Sequence, residues 1–268
     1  MLAPGARRAF EGADRSGRRG VIIDRVQHPG HLVNSWLIAG REEARGLVVD
    51  TGADPGEILA LVRRHNVRIV GIVCTHRHFD HTAGNEYLAR NLGCPVYAHP
   101  LERPHVAGAT EEIDAGHEFT FSKWTARVIH IPGHTAGQIG LHVPGEGVWT
   151  ADTLFKGSVG GTVGTGHTTF DDLKRSVMET ILSLPPETKI YPGHGETTTV
   201  GSEFERNPFV RVWRGLDEPG TRPARVEGRR VTVEVWARDY DGGHKAQVVF
   251  PGGERAIVPG SRVQRVTL

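Results

Sequence analysis

Three histidines and an aspartate crowd into six residues of Thr75-His76-Arg77-His78-Phe79-Asp80-His81, directly behind the β-branched run Val67–Thr75. A nearly unbroken run of that kind reads as a strand buried on both faces. The motif is therefore delivered at a strand end, where the sites of α/β proteins collect. In an extended segment residues i and i+2 point the same way, so His76 and His78 can grip one ion. Where the chain turns towards a helix, Asp80 and His81 diverge and can face a second ion. Imidazole and carboxylate donors without thiolate suit Zn²⁺, Fe²⁺ or Mn²⁺.

Three later residues share this context. His134 follows Ile131-Pro132-Gly133, Asp152 follows Val148-Trp149-Thr150-Ala151, and His194 lies in YPGHG after Ile190-Tyr191. Each is a ligand-type side chain on a turn that follows an apolar strand. Together with the first cluster they supply seven ligands, enough for two metals that share a carboxylate. Strands are expected at Val21–Val26, Leu32–Ala39, Leu47–Val49, Pro95–Ala98, Phe119–Ile131, Ile139–Val143 and Gly147–Thr150. Helical spacing is seen after Pro55, over Gly84–Asn91 and over Phe170–Leu184. The alternation predicts an α/β body with two layers of sheet.

The chain has 268 residues, 38% apolar and 24% charged, with 32 basic against 31 acidic side chains. A net charge of +1 gives no electrostatic reason to bind nucleic acid or a membrane surface. Two cysteines exclude a disulfide scaffold and a multi-cysteine zinc module. No apolar run reaches the roughly 18 residues of a membrane span, and the basic, Gly-rich start lacks an apolar signal segment, so the expected location is cytoplasmic. Residues 1–20 read as a flexible leader, 21–211 as the catalytic body and 212–268 as a small β-rich extension. Four strands are expected in the extension, at Val231–Ala237, Ala246–Phe250, Ala256–Val258 and Arg262–Thr267, with Asp241-Gly242-Gly243 and Pro251-Gly252-Gly253 as hairpin turns. It is too small to stand alone and is expected to dock on the body or on another copy of the chain, which would make a homo-oligomer.

THRHFDH, GHT at 133–135, AD at 151–152 and GHG at 193–195 resemble the metallo-β-lactamase superfamily, whose fold is an αββα sandwich. VVDTGAD at 48–54 fits the early strand and loop of that fold, and the resemblance covers roughly residues 21–211. LFKGSVGG at 154–161 and YPGHGETTTVGSEFERNPF at 191–209 are most similar to short bacterial glyoxalase II-type hydrolases, the hydroxyacylglutathione hydrolase-like enzymes. The resemblance implies that His76, His78 and His134 hold a first metal, that Asp80, His81 and His194 hold a second, and that Asp152 bridges them. It implies two divalent ions, zinc with iron or manganese as alternatives, and a small-molecule thioester or ester substrate. Asp80 would orient the nucleophile, a hydroxide held between ions roughly 3.5–4 Å apart. The bridging carboxylate and His81 set the chain apart from true β-lactamases.

His167 and Lys156, in or beside the Gly-rich stretch after Asp152, are candidate substrate contacts. Cys74, His130 and His142 read as structural residues on strands, and His28 and His31 as a loop that can overhang the site. The Lys- and Tyr-containing loop of glyoxalase II enzymes is replaced here by GSVGGTVGTGHTT, and their helical C-terminal domain by the β-rich extension. Two other activities of the same fold stand beside the thioesterase. A persulfide dioxygenase would use one iron on His76, His134 and Asp152; a lactonase or other ester hydrolase of the same fold would take a carboxylic-ester or lactone substrate.

Overall fold

Val21 opens an antiparallel meander of β1 (Val21–Gln27), β2 (Asn34–Gly40) and β3 (Arg45–Val49). The computed structural model describes residues 20–121 and 123–265, so the leader read over 1–20 lies, Gly20 apart, outside the described residues. The chain crosses through α1 (Pro55–His65) to β4 (Arg68–Val73), which runs parallel to β3. The start of α1 is chemically marked, because the Asp54 carboxylate accepts from the Glu57 amide at 3.0 Å and Pro55 fills the first turn. A single helical turn, α2 (Phe79–Thr82), and then α3 (Asn85–Leu92) lead to β5 (Val96–Ala98) and β6 (Glu111–Glu112). These complete a six-stranded sheet in the order β1 to β6.

A second sheet begins with β7 (Glu118–Thr120), β8 (Thr125–His130), β9 (Ile139–Val143) and β10 (Gly147–Ala151). A small hairpin of β11 (Leu154–Phe155) and β12 (Ser158–Val159) follows, then α4 (Phe170–Arg175) running into a π-helical turn over Ser176–Ile181. The chain re-enters the sheet as β13 (Lys189–Pro192) and β14 (Thr198–Thr199), and continues into α5 (Val200–Arg206) and α6 (Pro208–Trp213). The strand order is β14-β13-β10-β9-β8-β7, with β13 parallel to β10.

Period-2 alternation explains why β2 is buried at every position. Trp36 and Ile38 face the other sheet and join Val49, Val73, Leu141, Trp149 and Tyr191 in the core between the sheets. Leu37 and Ala39 face the other way, towards Ile58 and Leu61 of α1 and Leu88 of α3. The second sheet is covered likewise by Leu173, Val177 and Phe209. The layers are thus helix, sheet, sheet, helix: the αββα sandwich. No helix among the described residues is long and apolar enough to cross a membrane.

The extension forms a sheet of five strands, one more than the sequence pattern indicated, in the order β18-β17-β16-β15-β19. These are β15 (Arg222–Val226), β16 (Arg229–Arg238), β17 (His244–Val249), β18 (Arg255–Pro259) and β19 (Val263–Arg265). Pro223 disguises β15, yet it sits at the strand's start, beyond the Ala224–Val226 stretch that pairs with β19. The expected single strand over Phe119–Ile131 is a hairpin, closed where the Phe121 amide donates to the Trp124 carbonyl and the two rings stack at 4.0 Å.

The extension packs on the body. Along β16, Val231 and Val233 belong to the extension's own core, whereas Val235 and Ala237, beyond a bulge, join Ile257 in the core that holds Leu173 and Phe209. Ile257 is fully buried at this seam. Ile257→Ala should lower the unfolding free energy by about 2–5 kcal/mol, read as a lower urea midpoint with an unchanged slope.

Candidate metal centre

Strand direction assembles the site. Parallel β3 and β4 end at Asp50 and at Thr75-His76. In the other sheet β8, β10 and β13 all run the same way, and the turns that follow them carry His134, Asp152 and His194. The two sheets are stitched at this edge: the Asn34 amide donates to the Gly193 carbonyl at 2.7 Å, and the Ile139 amide to the Thr75 carbonyl at 3.0 Å. Asp50 and Ala151 both sit at positive φ, 58° and 44°. Such strain in non-glycine residues is held where a site needs it, and here it aims Asp50 and Asp152 inwards.

Every imidazole of the cluster is tied at one nitrogen to a protein oxygen. His81 Nδ1 lies 2.8 Å from Asp50 Oδ2, and His76 Nδ1 lies 3.1 Å from Thr75 Oγ1. His78 Nε2 meets the Thr165 carbonyl at 3.0 Å, His134 Nδ1 the Gly161 carbonyl at 2.9 Å, and His194 Nδ1 the His31 carbonyl at 2.9 Å. A carbonyl or carboxylate accepts only, so it fixes an N–H on that side and leaves the other nitrogen's lone pair pointing inwards.

The inward nitrogens converge. His76 Nε2 and His134 Nε2 lie 3.1 and 3.0 Å from His78 Nδ1, and His81 Nε2 lies 3.1 Å from His194 Nε2. Asp152 stands between these groups, Oδ1 3.3 Å from His81 Nε2, and Oδ2 3.4 Å from His194 Nε2 and 3.6 Å from His134 Nε2. Asp80 Oδ2 lies 3.4 Å from His194 Nε2. Three overlapping groups result, each with its donor atoms within 4.8 Å of one another: His76, His78, His134; His76, His81, Asp152; and Asp80, His81, His194. All seven residues singled out in the sequence as ligands are brought together. Their donors suit divalent cations: lone pairs facing each other at this range repel unless a positive charge lies among them. Asp152 Oδ1 is buried with no hydrogen-bond partner, and a Cβ on Gly193 would fill the space beside it.

Without an ion the cluster divides by its protons. Burial pushes His76 far down, and it brings His134 to about 4 despite the pull of Asp152. Burial also opposes charge on His81 and His194, but their carboxylate neighbours outweigh it. Asp152 and Asp50 hold His81 well above the usual imidazole range, and Asp152 with Asp80 raises His194 to about 9. Burial would raise the Asp80 carboxyl, yet the hydrogen bond with His194 and the charge of His81 bring it below its ordinary value.

Two supporting residues were not singled out in the sequence, although Asp50 lies within the VVDTGAD motif. Asp50 accepts from the Thr75 amide, the Thr75 hydroxyl and His81, each at 2.8 Å, so it braces the ligand loop at three points. Glu102 is fully buried and accepts from the Arg77 amide at 3.0 Å, from Arg77 Nε at 2.6 Å and from the Gly137 amide at 2.7 Å. Lys156 is exposed in an ion pair with Glu196. His167 is exposed, with Nδ1 2.6 Å from the Gly164 carbonyl, and it lines a cavity of about 370 Å³ against the extension. Cys74 is buried beside Asn85 and its thiol is pushed up by burial. His130 is tied to the Ala136 carbonyl and stacks on His99 at 4.7 Å.

Comparison with known proteins gives the family. Residues 28–194 match the family model of the metallo-beta-lactamase superfamily. The chain belongs to that superfamily. An uncharacterized protein of Mycobacterium leprae (strain TN) is 31% identical over 206 residues, covering 66% of this chain and 93% of that protein. A hydroxyacylglutathione hydrolase of Brucella ovis is 35% identical over 163 residues, 60% of this chain and 61% of the relative. Among solved structures, the BLEG-1 B3 metallo-beta-lactamase has a TM-score of 0.65 at 25% identity, covering 70% of this chain and 99% of that one. TTHA1623 in a di-iron-bound form has a TM-score of 0.61 at 31% identity, covering 69% and 99%. The matched region of this superfamily member ends before the extension.

Two outcomes follow for metal binding. Asp50→Ala removes the acceptor that fixes His81 and should weaken metal affinity about 10–100-fold, measured by competition with a chromogenic chelator. An ion held by His81 and His194 must displace their protons, so its affinity rises with pH towards about 9. His134 is neutral down to about 4, and burial holds His76 well below the usual imidazole range, so neither proton competes with an ion there in mild acid. Dialysis at pH 5.5 should therefore leave about one equivalent of metal where pH 8 leaves about two, as counted by atomic emission.

Proposed function

We propose that this superfamily member is a dinuclear metal-dependent hydrolase of acyl thioesters. The observation that carries the reading is the Asp152 carboxylate, within 3.3–3.6 Å of imidazoles from both histidine groups and with one buried oxygen free of hydrogen bonds. His76, His78 and His134 would hold one ion, Asp80, His81 and His194 the other, and Asp152 would serve both. Such ions, zinc or iron, would supply water of lowered pKa and Lewis-acid polarisation of an acyl carbonyl. The solved di-iron form of TTHA1623 supports iron as a candidate beside zinc.

The chain's own groups supply the rest. Asp80 is the one carboxylate of the set that stays partly exposed, with a side chain 39% accessible, so it can hold an incoming water and take its proton. Its lowered pKa keeps it ionised for that task. A thiolate leaves with a conjugate-acid pKa of only about 8.5, so no side-chain acid is required. The similarity to the Brucella ovis enzyme, named a hydroxyacylglutathione hydrolase, supports a hydroxyacyl thioester as the substrate class.

Thiol release from S-D-lactoylglutathione by the metal-replete protein tests the proposal. The expected kcat/KM exceeds about 10⁴ M⁻¹s⁻¹, and His78→Ala and His194→Ala should each abolish turnover along with metal. A background rate on thioesters overturns it. Oxygen uptake with a persulfide would then point to the one-iron dioxygenase, lactone opening to an ester hydrolase, and nitrocefin cleavage to a β-lactamase.

A further inference from the structure

The extension reaches the metal centre directly. Tyr240, on the turn between β16 and β17, lays its ring on His194, with centroids 4.5 Å apart and planes 16° from parallel. Phe155 meets the same ring at 4.9 Å from the side. The approach depends on Gly195, at φ 71°, where a Cβ would sit 3.0 Å from that of Tyr240. The turn itself is fixed. Asp239 accepts from the Tyr240 amide at 3.0 Å and from the Ser158 hydroxyl at 2.8 Å, and pairs with the buried Lys245 ammonium at 3.0 Å. So a body strand, β12, and an extension strand, β17, both hold Asp239, and Asp239 holds the backbone of Tyr240.

Packing on His194 would need only a ring. The Tyr240 hydroxyl has no hydrogen-bond partner among the described residues, whereas all five imidazoles of the centre, His194 beneath it included, are tied to protein oxygens. The hydroxyl is not among the buried polar atoms left without a partner, so a half-buried phenol next to His194 keeps its donor open to a ligand.

We infer that Tyr240 is a substrate-contacting residue, whose hydroxyl donates a hydrogen bond to an oxygen or sulfur acceptor of the ligand beside His194. The extension thereby forms one wall of the active site. The choice of a thioester as that ligand rests on the function proposed above; the contact itself does not. The Gly-rich stretch after Asp152 offers no phenol, and Tyr240 brings one from a separate part of the chain. The acceptor is the acyl group or the thiol sulfur, both of which a thioester presents.

Tyr240→Phe tests the contact, since it keeps the ring on His194 and removes only the hydroxyl. With metal content and thermal midpoint at wild-type values, kcat/KM for S-D-lactoylglutathione should fall about tenfold or more, and Tyr240→Ala should fall further. A Tyr240→Phe variant within twofold of wild type, alongside an active wild type, overturns the inference and leaves the thioesterase reading standing. An inactive wild type removes that reading, and the contact is then judged by binding alone. Mercaptoacetate titrated into the cobalt-substituted protein, followed by the cobalt d–d bands, should bind about tenfold more weakly to Tyr240→Phe. Equal affinities, or no binding to either protein, overturn it.

Discussion

Imidazole lone pairs aimed at one another across about 3 Å are tolerable only when positive charge lies among them, and this requirement organises the molecule. Five histidines and two aspartates are gathered at one sheet edge, most of them out of contact with water. The fold fixes them by occupying the outer nitrogen of each ring, so that rotation of any ring would cost a hydrogen bond. In the absence of an ion, protons on His81 and His194 supply the positive charge beside Asp152 and Asp80. The cluster is thus matched to cations, and a proton is the smaller substitute. Asp152 bears the largest consequence of this arrangement, since its buried Oδ1 has no well-formed hydrogen bond and leans on the charge of His81, 3.3 Å away.

The same demand explains the direction of the strands. A side chain can be aimed to a few tenths of an ångström only from a rigid element, and a strand end offers rigidity up to the last residue before a free turn. Three strands of one sheet and two of the other finish at this edge, each followed by a ligand or a brace. The positive φ of Asp50 and Ala151 is local strain accepted to aim two carboxylates. The core between the sheets, with Tyr191 packed on both Trp36 and Trp149, holds the two edges in register.

The ligands were legible because their chemistry is written locally. His76, His78, Asp80 and His81 share one motif, and His134, Asp152 and His194 each follow an apolar run. The braces were not. Asp50 meets His81 across 31 positions of sequence, and Glu102 meets Arg77 across 25, so VVDTGAD marked the strand and loop but not the bracing role of Asp50, and nothing near Glu102 marked its own. Secondary structure was lost where one residue type outweighed its context. Pro223 concealed β15, and continuous helical spacing over Phe170–Leu184 concealed a π-helical turn whose side chains keep nearly the same face. Tyr240 carried no motif, because its meaning lies in how the extension docks.

That docking is more than attachment. His78 and His134 take their orientation from two carbonyls of one loop, those of Thr165 and Gly161. Between them Thr162 is held to β18 twice, its amide donating to the Ile257 carbonyl at 2.9 Å and its hydroxyl accepting from the Ile257 amide at 2.9 Å. Ile257 in turn is buried in the core that the body and extension share. A loop with glycines at 160, 161, 164 and 166 has little intrinsic preference for one conformation, so its order comes from these anchors. Opening of the extension would release the loop, and with it the tautomer and direction of two imidazoles. The seam and the orientation of those two imidazoles thus share one set of hydrogen bonds, which is how the docked β-rich extension bears on the centre that it borders.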